Sequence, residues 1–314
     1  MLNRRQIRVK VLQTLYSMMM AGSDDLALHR KFLNKSMADM EVLYYLLLDL
    51  LNRLYVLHED MLEKTRNKFI PSEKDKVLSE KLIQNQLLKS INESEAIAEK
   101  ISKLKFDFWK THEEYVRVIY DKVIQSEEYL QYTQKPTSDF AADTNFVAQL
   151  YTNVIAPDEK LYEFIEDQNL TWLDDLPLVN TFLVKALRQA SPQHTGKKLL
   201  IQLVKDEDDL KFGRDLLDKT FLNLAQLDKE IEGQTPNWDM ERIADVDRIL
   251  IRIALCEFLK FPSIPTRVTI NEYIEIAKEY ATPKSSIFIN GLLDSLEKKF
   301  RQENRIQKSG RGLL

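Results

Sequence analysis

The feature that most constrains this chain is the order of residues from Asp245 to Phe300, which predicts three consecutive helices. The first helix, from Val246 to about Lys260, is apolar around most of its circumference, and such a helix lies inside a helical bundle. The phrase FPSIP ends it, because proline cannot continue a helix and restricts the residue before it. A second helix should run to about Tyr280, and a third should follow a short turn. The pattern predicts an all-α fold.

Several residues in this stretch have predicted local roles. Thr269 and Glu272 have the spacing of a capping box at the start of the second helix. Ser285 is expected to cap the third helix, where Gly291 would permit the close approach of a neighbouring helix. The first helix should be wetted along one narrow polar stripe, which consists of Asp245, Arg248 and Arg252.

Four fragments of the sequence together resemble the NusB family of bacterial transcription antitermination factors. They are VDRILIRIALCEF, IP-x-RVTINE-x-IEIAK and S-x-x-FINGLLD near the C-terminus, and RRQIRVKVLQTLYS at the N-terminus. They cover about a quarter of the chain, and residues 210–244 match more loosely. The resemblance implies an all-helical RNA-binding protein that pairs with NusE, a small-subunit ribosomal protein. It also implies that the pair binds the boxA element of ribosomal RNA precursors.

The N-terminal helix carries the clearest candidates for RNA contact, namely Arg4, Arg5 and Arg8. Guanidinium groups match phosphate geometry and stack on bases, whereas basic residues at a helix N-terminus oppose the helix dipole unless an anion is near. A merely solvated basic helix end is the alternative. Ile7, Val11 and Leu15 should anchor the opposite face of this helix in the bundle.

The resemblance adds further positions at or near the RNA surface, where unstacked bases need planar partners. These positions are Gln13, Tyr16, Arg252, Tyr280, Lys284, Ser285 and Phe288. Core packing is an equal alternative for Phe288, and Asn271 and Glu272 are expected to be structural. Cys256 replaces the usual aromatic of the family motif, and we expect it to be a small buried residue.

Charge is distributed unevenly along the chain. The whole sequence has a net charge of −4 and a pI near 5.8, whereas the first and last twenty residues each carry +4. A nucleic-acid site in such a chain must therefore be local.

The resemblance divides the chain unequally. Residues 1–22 would be the first helix of a NusB-like bundle, residues 206–300 its C-terminal part, and residues 301–314 a flexible basic tail. Residues 23–205 would be an additional helical section, with helix-type apolar spacing in residues 36–70, 73–105 and 108–134. The apolar run from Val42 to Leu57 is too short and too polar to span a bilayer and is expected to be a buried helix.

Part of the middle section looks like a degenerate copy of the following segment. At a constant offset of 66, seven residues are identical: Phe146, Leu150, Leu161, Ile165, Glu166, Gln168 and Trp172 recur as Phe212, Leu216, Leu227, Ile231, Glu232, Gln234 and Trp238. Duplication and chance similarity between amphipathic helices are equally compatible with this match.

The sequence offers little for catalysis, a metal or a cofactor. The four histidines occur in no metal-binding or catalytic motif, and HTGKKLL lacks the first glycine of a phosphate-binding loop. We expect no enzyme activity and no cofactor. The N-terminus lacks a secretory signal, so we expect a cytoplasmic protein with no membrane partner, although an arginine-rich start is also compatible with a mitochondrial presequence.

These observations favour an RNA-binding antitermination factor that binds boxA-type RNA with NusE. It would act on ribosomal RNA operons and reach the RNA polymerase elongation complex indirectly. One alternative is a scaffold with the same fold that has lost RNA binding. Another is a module related to ribosomal RNA methyltransferases, although the cofactor loop and Pro-Cys context of those enzymes are missing from the sequence.

Overall fold

The computed structural model describes residues 3–70, 72–104, 108–193, 195–203, 207–232, 234 and 243–309. Every regular element in these residues is helical, which confirms the all-α prediction. The chain divides into two compact units. Unit 1 comprises residues 1–37 and 204–314, and unit 2 comprises residues 38–203.

Unit 1 is a bundle in which the apolar stretch predicted from the sequence forms the central helix. Its helices are α1 (Arg4–Ala21), the first part of α2 (Leu26–Arg66), α13 (Glu207–Leu222), α14 (Leu224–Glu232), α15 (Asp245–Lys260), α16 (Thr266–Tyr280) and α17 (Ser285–Gln302). Helix α15 packs against α1, α13, α14, α16 and α17. Its residues from Ile249 to Phe258 are buried except Arg252, so the prediction of an interior helix is confirmed.

Three local predictions in this region were wrong. Helix α16 begins at Thr266 after Pro265, so Thr269 lies inside the helix and donates a hydrogen bond to Glu257 instead of capping. Ser285 is the first residue of α17 and has no capping bond. Gly291 is exposed, and among the described residues no neighbouring atom lies within 4 Å of a Cβ placed there, so none of their helices approaches it closely.

Unit 2 is built from one long helix and many short ones. After the remainder of α2 come α3 (Glu73–Val77), α4 (Gln86–Asn92), α5 (Glu95–Ser102), α6 (Phe108–Thr111), α7 (Glu113–Gln125), α8 (Glu127–Gln134), α9 (Phe140–Leu150), a π-helical turn (Tyr151–Ile155), α10 (Glu159–Gln168), α11 (Leu170–Arg188) and α12 (Thr195–Leu199). Residues 73–105 and 108–134 therefore do not form two continuous helices. Asn85, Ser94 and Ser126 each cap a new helix there.

The core of unit 2 surrounds the most apolar run of the sequence. Residues 43–51 are all buried, whereas Val56 is exposed, so the prediction of a buried helix from Val42 to Leu57 is confirmed for most of its length. Two of the buried aromatic residues in this core donate to backbone carbonyls: Tyr44 Oη donates to Leu199 O, and Trp109 Nε1 donates to Leu46 O. Such bonds remove the cost of burying an unpaired donor.

The segment after α17, for which we expected a flexible basic tail, lies against unit 1 as far as Ser309. Arg305 pairs with Glu230 and lies over the ring of Phe300. The Lys308 ammonium donates to the carbonyls of Glu257 and Phe261 at the end of α15. Residues 310–314 of that tail lie outside the described residues, as does the boundary expected at residue 205.

Candidate nucleic-acid interface

Helix α1 presents one face to the core of unit 1. That face consists mainly of Ile7, Val11, Leu12, Leu15 and Met18. The prediction that Ile7, Val11 and Leu15 anchor the helix is confirmed. Asn3 caps the helix, since its Oδ1 accepts hydrogen bonds from the amides of Arg5 and Gln6 and its own amide donates to Gln6. The sequence Asn-x-x-Gln was the overlooked signal for this capping box, which fixes the first turn of α1 and its arginines.

Arg8 is buried, with 3% of its side chain exposed. Its Nε and Nη2 donate to the two carboxylate oxygens of Glu257 at 2.6 and 3.0 Å, and Thr269 and Tyr273 donate to the same carboxylate. Burial alone would lower the pKa of Arg8, but the hydrogen bonds and charge of Glu257 raise it overall. The expectation that Arg8 contacts RNA therefore does not fit its position, and we assign it to the support of α1.

Arg4 and Arg5 keep access to solvent. Arg5 forms two hydrogen bonds with Glu272, at 2.9 and 3.0 Å, and 37% of its side chain is exposed. Arg4 is 48% exposed, lies 5.0 Å from the centre of the Phe212 ring, and approaches Asp209 at 3.6 Å. The structural role expected for Glu272 is thus an inter-helix bond that orients Arg5. An open cleft of about 460 Å³ adjoins both guanidinium groups.

A second group of predicted residues lies on the C-terminal half of α1 and the first half of α15. Tyr16 of α1 is 39% exposed, and Gln13 is partly exposed. Arg252 is held by Asp228 through two bonds of 2.7 Å and is only 12% exposed. Arg248 is also half-buried, beside Met19. The polar stripe of α15 that was predicted to face solvent is therefore partly covered.

Ser285 is tied to a carboxylate that sequence reasoning overlooked. Its buried hydroxyl donates to Asp247 Oδ2 at 2.7 Å, which joins the start of α17 to the start of α15. Burial raises the pKa of Asp247, and the Ser285 bond partly offsets this. Ser285 consequently positions the start of α17. The overlooked signal was a carboxylate next to the polar stripe of an otherwise apolar helix.

The remaining predicted residues occupy the same end of the bundle. Lys284 precedes α17 and is exposed. Tyr280 and Phe288 are half-buried and pack against the core of unit 1. Each ring therefore has a packing role as well as a partly accessible surface, so core packing of Phe288 is observed and its contact with RNA stays a prediction.

The predicted residues fall into two groups along α1. Arg8 meets Glu257 near the end of α15, whereas Met19 meets Arg248 and Arg252 near its start, so α1 and α15 run antiparallel. Arg4 and Arg5 thus lie at one end of α1, and Tyr16 lies eleven residues further on, a helical rise of about 16 Å.

The histidines and the cysteine are the other candidate site residues in the described part of the chain. No group of histidine, cysteine or acidic residues there could hold a metal ion. His29 and His58 are buried and bonded to neighbouring groups, and His194 lies outside the described residues. Cys256 is buried as expected, and burial raises its pKa to about 11. Among the helices described, none is long and apolar enough to cross a membrane.

Comparisons with known proteins find similarity over part of this chain. The NusB family profile matches residues 179–298. The transcription antitermination protein NusB of Salinibacter ruber is 39% identical over 117 residues, which cover 37% of this chain and 73% of that protein. Its counterpart in Chloroherpeton thalassium is 40% identical over 99 residues, 32% of this chain and 47% of that protein. The protein of the same name in Natranaerobius thermophilus is 43% identical over 81 residues, 26% of this chain and 58% of that protein. No solved structure matches.

The fold and these similarities define an all-helical protein that resembles the transcription antitermination proteins named above. The chain belongs to the NusB family.

Proposed function

We propose that this chain binds boxA-type single-stranded RNA together with NusE and supports transcription of ribosomal RNA operons. RNA binding would take place on unit 1, and the RNA polymerase elongation complex would be reached through the assembled factors. Such a role belongs in the cytoplasm. Family membership and the names of the relatives support the general role, and the geometry of α1 supports the binding surface.

The observation that carries this proposal is the pairing of accessible arginines and an accessible tyrosine on one rigid helix. Arg4 and Arg5 offer guanidinium groups for phosphates, and Tyr16 offers a ring for a base about 16 Å away. Single-stranded RNA recognition uses this combination of backbone charge and base stacking. Arg8 and Ser285 would act indirectly, because each is buried and holds a helix in place.

Neighbouring carboxylates shape the proposed phosphate site. Glu272 holds Arg5 with two hydrogen bonds, so that guanidinium is oriented but partly neutralised. Arg4 has a longer ion pair with Asp209, lies over the Phe212 ring and is more exposed. We therefore expect Arg4 to contribute more to phosphate binding than Arg5.

The test is to replace both arginines, Arg4→Ala with Arg5→Ala, and to titrate boxA RNA and a scrambled RNA at several salt concentrations. Each lost phosphate contact on a single strand should reduce the salt slope by about 0.7, so the double change should reduce it by about 1.4. The charge-matched control is Lys31→Ala with Lys298→Ala, two exposed lysines elsewhere on unit 1. Equal slopes in wild type and the arginine variant would rule out these contacts.

The role of NusE is tested by repeating the titration with saturating NusE. If both ligands bind together, NusE should increase RNA affinity and RNA should increase NusE affinity by the same factor, with a coupling of about 1–3 kcal/mol. A chain with no preference for boxA over the scrambled RNA, with or without NusE, would instead fit the scaffold alternative.

A further inference from the structure

Unit 2 contains a polar cleft that is separate from the arginines of α1. It lies between α8 and the face of α9 and its π-helical continuation, and its volume is about 320 Å³. One wall carries three carboxamides, Asn145, Gln149 and Asn153. The other carries Glu127, Glu128 and Gln131. A cleft lined in this way offers many hydrogen-bond donors and acceptors but few of the positive charges that RNA binding would need.

The carboxamides have a regular spacing. They lie four residues apart, which corresponds to about 6 Å of rise per step along an α-helix. An extended peptide repeats its backbone groups on one side every two residues, or about 6.6–6.8 Å. A carboxamide has both an acceptor and donors, and it can therefore pair with the N–H and C=O of a peptide unit. Three such groups in a row match alternate peptide units of an extended strand.

The π-helical turn helps to align this row. Residues four apart in an α-helix advance by somewhat more than one turn, so a long row at this spacing drifts around the helix. Asn153 lies in the π-helical turn Tyr151–Ile155, where each turn holds more residues and the drift is reversed. Single π-helical turns occur frequently at functional sites.

The groups in the row are exposed, and they sit on a fixed base. Asn145 and Gln149 have exposed side chains and form no hydrogen bond among the described residues, and Asn153 donates to Glu128 at 2.8 Å. Beneath them the rings of Tyr132 and Phe146 stack at 3.9 Å, and Tyr132 donates to buried Asp143. A rigid floor lowers the ordering cost of binding.

The charge of the cleft decides between classes of occupant. Glu127 and Glu128 lie in the first turn of α8, and Lys135 is the basic residue of the lining. The whole of residues 38–203 contains 27 acidic and 20 basic residues. A phosphate backbone would be repelled there, whereas a lysine or arginine of a protein partner would be attracted.

We propose that this cleft binds an extended segment of a partner protein that carries a basic side chain. The carboxamide row pairs with the backbone of the segment, and Glu127 and Glu128 receive its basic side chain. This site is independent of the proposed RNA surface on unit 1.

The experiment uses the full chain and a ten-residue peptide of alternating threonine and lysine, followed by nuclear magnetic resonance. The side-chain amide signals of Asn145 and Gln149 should shift on titration. Asn145→Ala with Gln149→Ala, which changes no charge, should weaken binding by about tenfold, because two hydrogen bonds are lost. Glu127→Gln with Glu128→Gln should also weaken it. The charge-matched control, Glu163→Gln with Asp167→Asn on exposed positions of α10, should bind as wild type does.

A second peptide of the same charge, methylated on alternate backbone nitrogens, should bind far more weakly because it cannot donate those hydrogen bonds. If both peptides bound equally well, the interaction would be non-specific attraction between charges, and the proposal would be overturned. The same would follow if Glu163→Gln with Asp167→Asn weakened binding as much as Glu127→Gln with Glu128→Gln. Unperturbed binding by Asn145→Ala with Gln149→Ala would also overturn it, as would amide shifts produced by single-stranded RNA instead of peptide. Binding of boxA RNA should not change in Asn145→Ala with Gln149→Ala. The outcome of this experiment can therefore be distinguished from the outcome of the RNA-binding test.

Discussion

Two segments of this protein bury the same apolar pattern but present different polar surfaces. In unit 2 the segment runs from α9 to α11, and in unit 1 it runs from α13 to α15. The matched apolar residues are buried in both: Phe146, Leu150, Leu161 and Ile165 in unit 2, and Phe212, Leu216, Leu227 and Ile231 in unit 1. Trp172 is also buried, whereas its counterpart Trp238 lies outside the described residues.

The polar positions of the two segments have diverged. At the same offset of 66, the carboxamides Asn145, Gln149 and Asn153 correspond to Lys211, Asp215 and Lys219. One residue further in offset, Glu257 corresponds to Ala190, so unit 2 has no counterpart of the acid that holds Arg8. Burial restricts which residues an inward position accepts, and exposed positions vary more freely. We propose that the two segments arose by duplication and that their exposed faces then specialised.

Net charge follows the same division. Residues 38–203 have a net charge of −7, and residues 1–37 and 204–314, with 22 acidic and 25 basic residues, have +3. The overall charge of −4 therefore conceals a basic unit and an acidic unit. A small positive unit suits an RNA ligand better than the composition of the whole chain does.

The largest test of this division is to remove unit 2 by joining residues 1–37 to 207–314 through a flexible glycine-serine linker. Peptide binding should be lost completely, whereas boxA affinity should equal or exceed that of the full chain, because an acidic unit has been removed. Fluorescence titration with each ligand measures both.

The matched control for this deletion joins residues 1–22 to 206–314. It lacks Leu33 and Met37, which lie in the core of unit 1. It should be less stable by several kcal/mol, at about 2–5 for each large apolar side chain lost. If the protein that joins residues 1–37 to 207–314 did not fold, this would contradict the independence of unit 1.

The second test concerns the ion pair that distinguishes α15 from α11. Glu257→Ala removes the hydrogen-bonded partner of buried Arg8 and leaves it with the longer ion pair to Glu272 at 3.8 Å, so it should cost about 3–5 kcal/mol of unfolding free energy. Arg8→Met with Glu257→Leu should recover part of this, because the buried ion pair is gone although the hydroxyls of Thr269 and Tyr273 lose their acceptor. Urea denaturation measures both variants, and a loss below about 1 kcal/mol in Glu257→Ala would show that the pair is dispensable.

The third test compares one matched pair of core positions. Leu150→Ala and Leu216→Ala each remove a buried leucine at the same place in the repeat. Each should cost about 3 kcal/mol through lost burial and the cavity left behind. Hydrogen exchange should locate the loss in unit 2 for Leu150 and in unit 1 for Leu216. A large cost at only one position would argue against equivalent packing of the segments.

The smallest expected effect concerns the end of α15, where Lys308 donates to two carbonyls. Burial lowers the pKa of Lys308 to about 8, partly offset by Glu257, from an ordinary value of 10.5. Because the pKa of Lys308 is lower in the folded state than in the unfolded state, the folded state is disfavoured while the ammonium is protonated. The contribution of Lys308 to the free energy of unfolding should therefore increase as the pH rises from about 8 to 10.5. Because the side chain is half-exposed, we expect about 1 kcal/mol. The check is to measure the free energy of unfolding of wild type and of Lys308→Met as a function of pH. Parallel curves would exclude a pH-dependent contribution from Lys308.

The three C-terminal helices and the anchoring face of α1 were predictable because apolar periodicity and proline positions are local properties of the sequence. Two of the acidic partners of α1, Glu257 and Glu272, were less predictable. Glu272 could be assigned a structural role but not its partner Arg5, and nothing local indicates that Glu257 meets Arg8 from 249 residues away. Ion pairs between distant segments depend on how the helices pack.

By itself the sequence determined an all-helical fold, an interior α15, a basic first helix and the resemblance that places the chain in its family. The tertiary structure alone decided which basic residues reach solvent. Arg4 and Arg8 are one turn apart on the same helix, yet the first is half-exposed and the second is buried against Glu257. The reason is that helical spacing defines the face on which a residue lies, whereas the neighbouring helices, brought close by burial of their apolar faces, determine whether that face is covered.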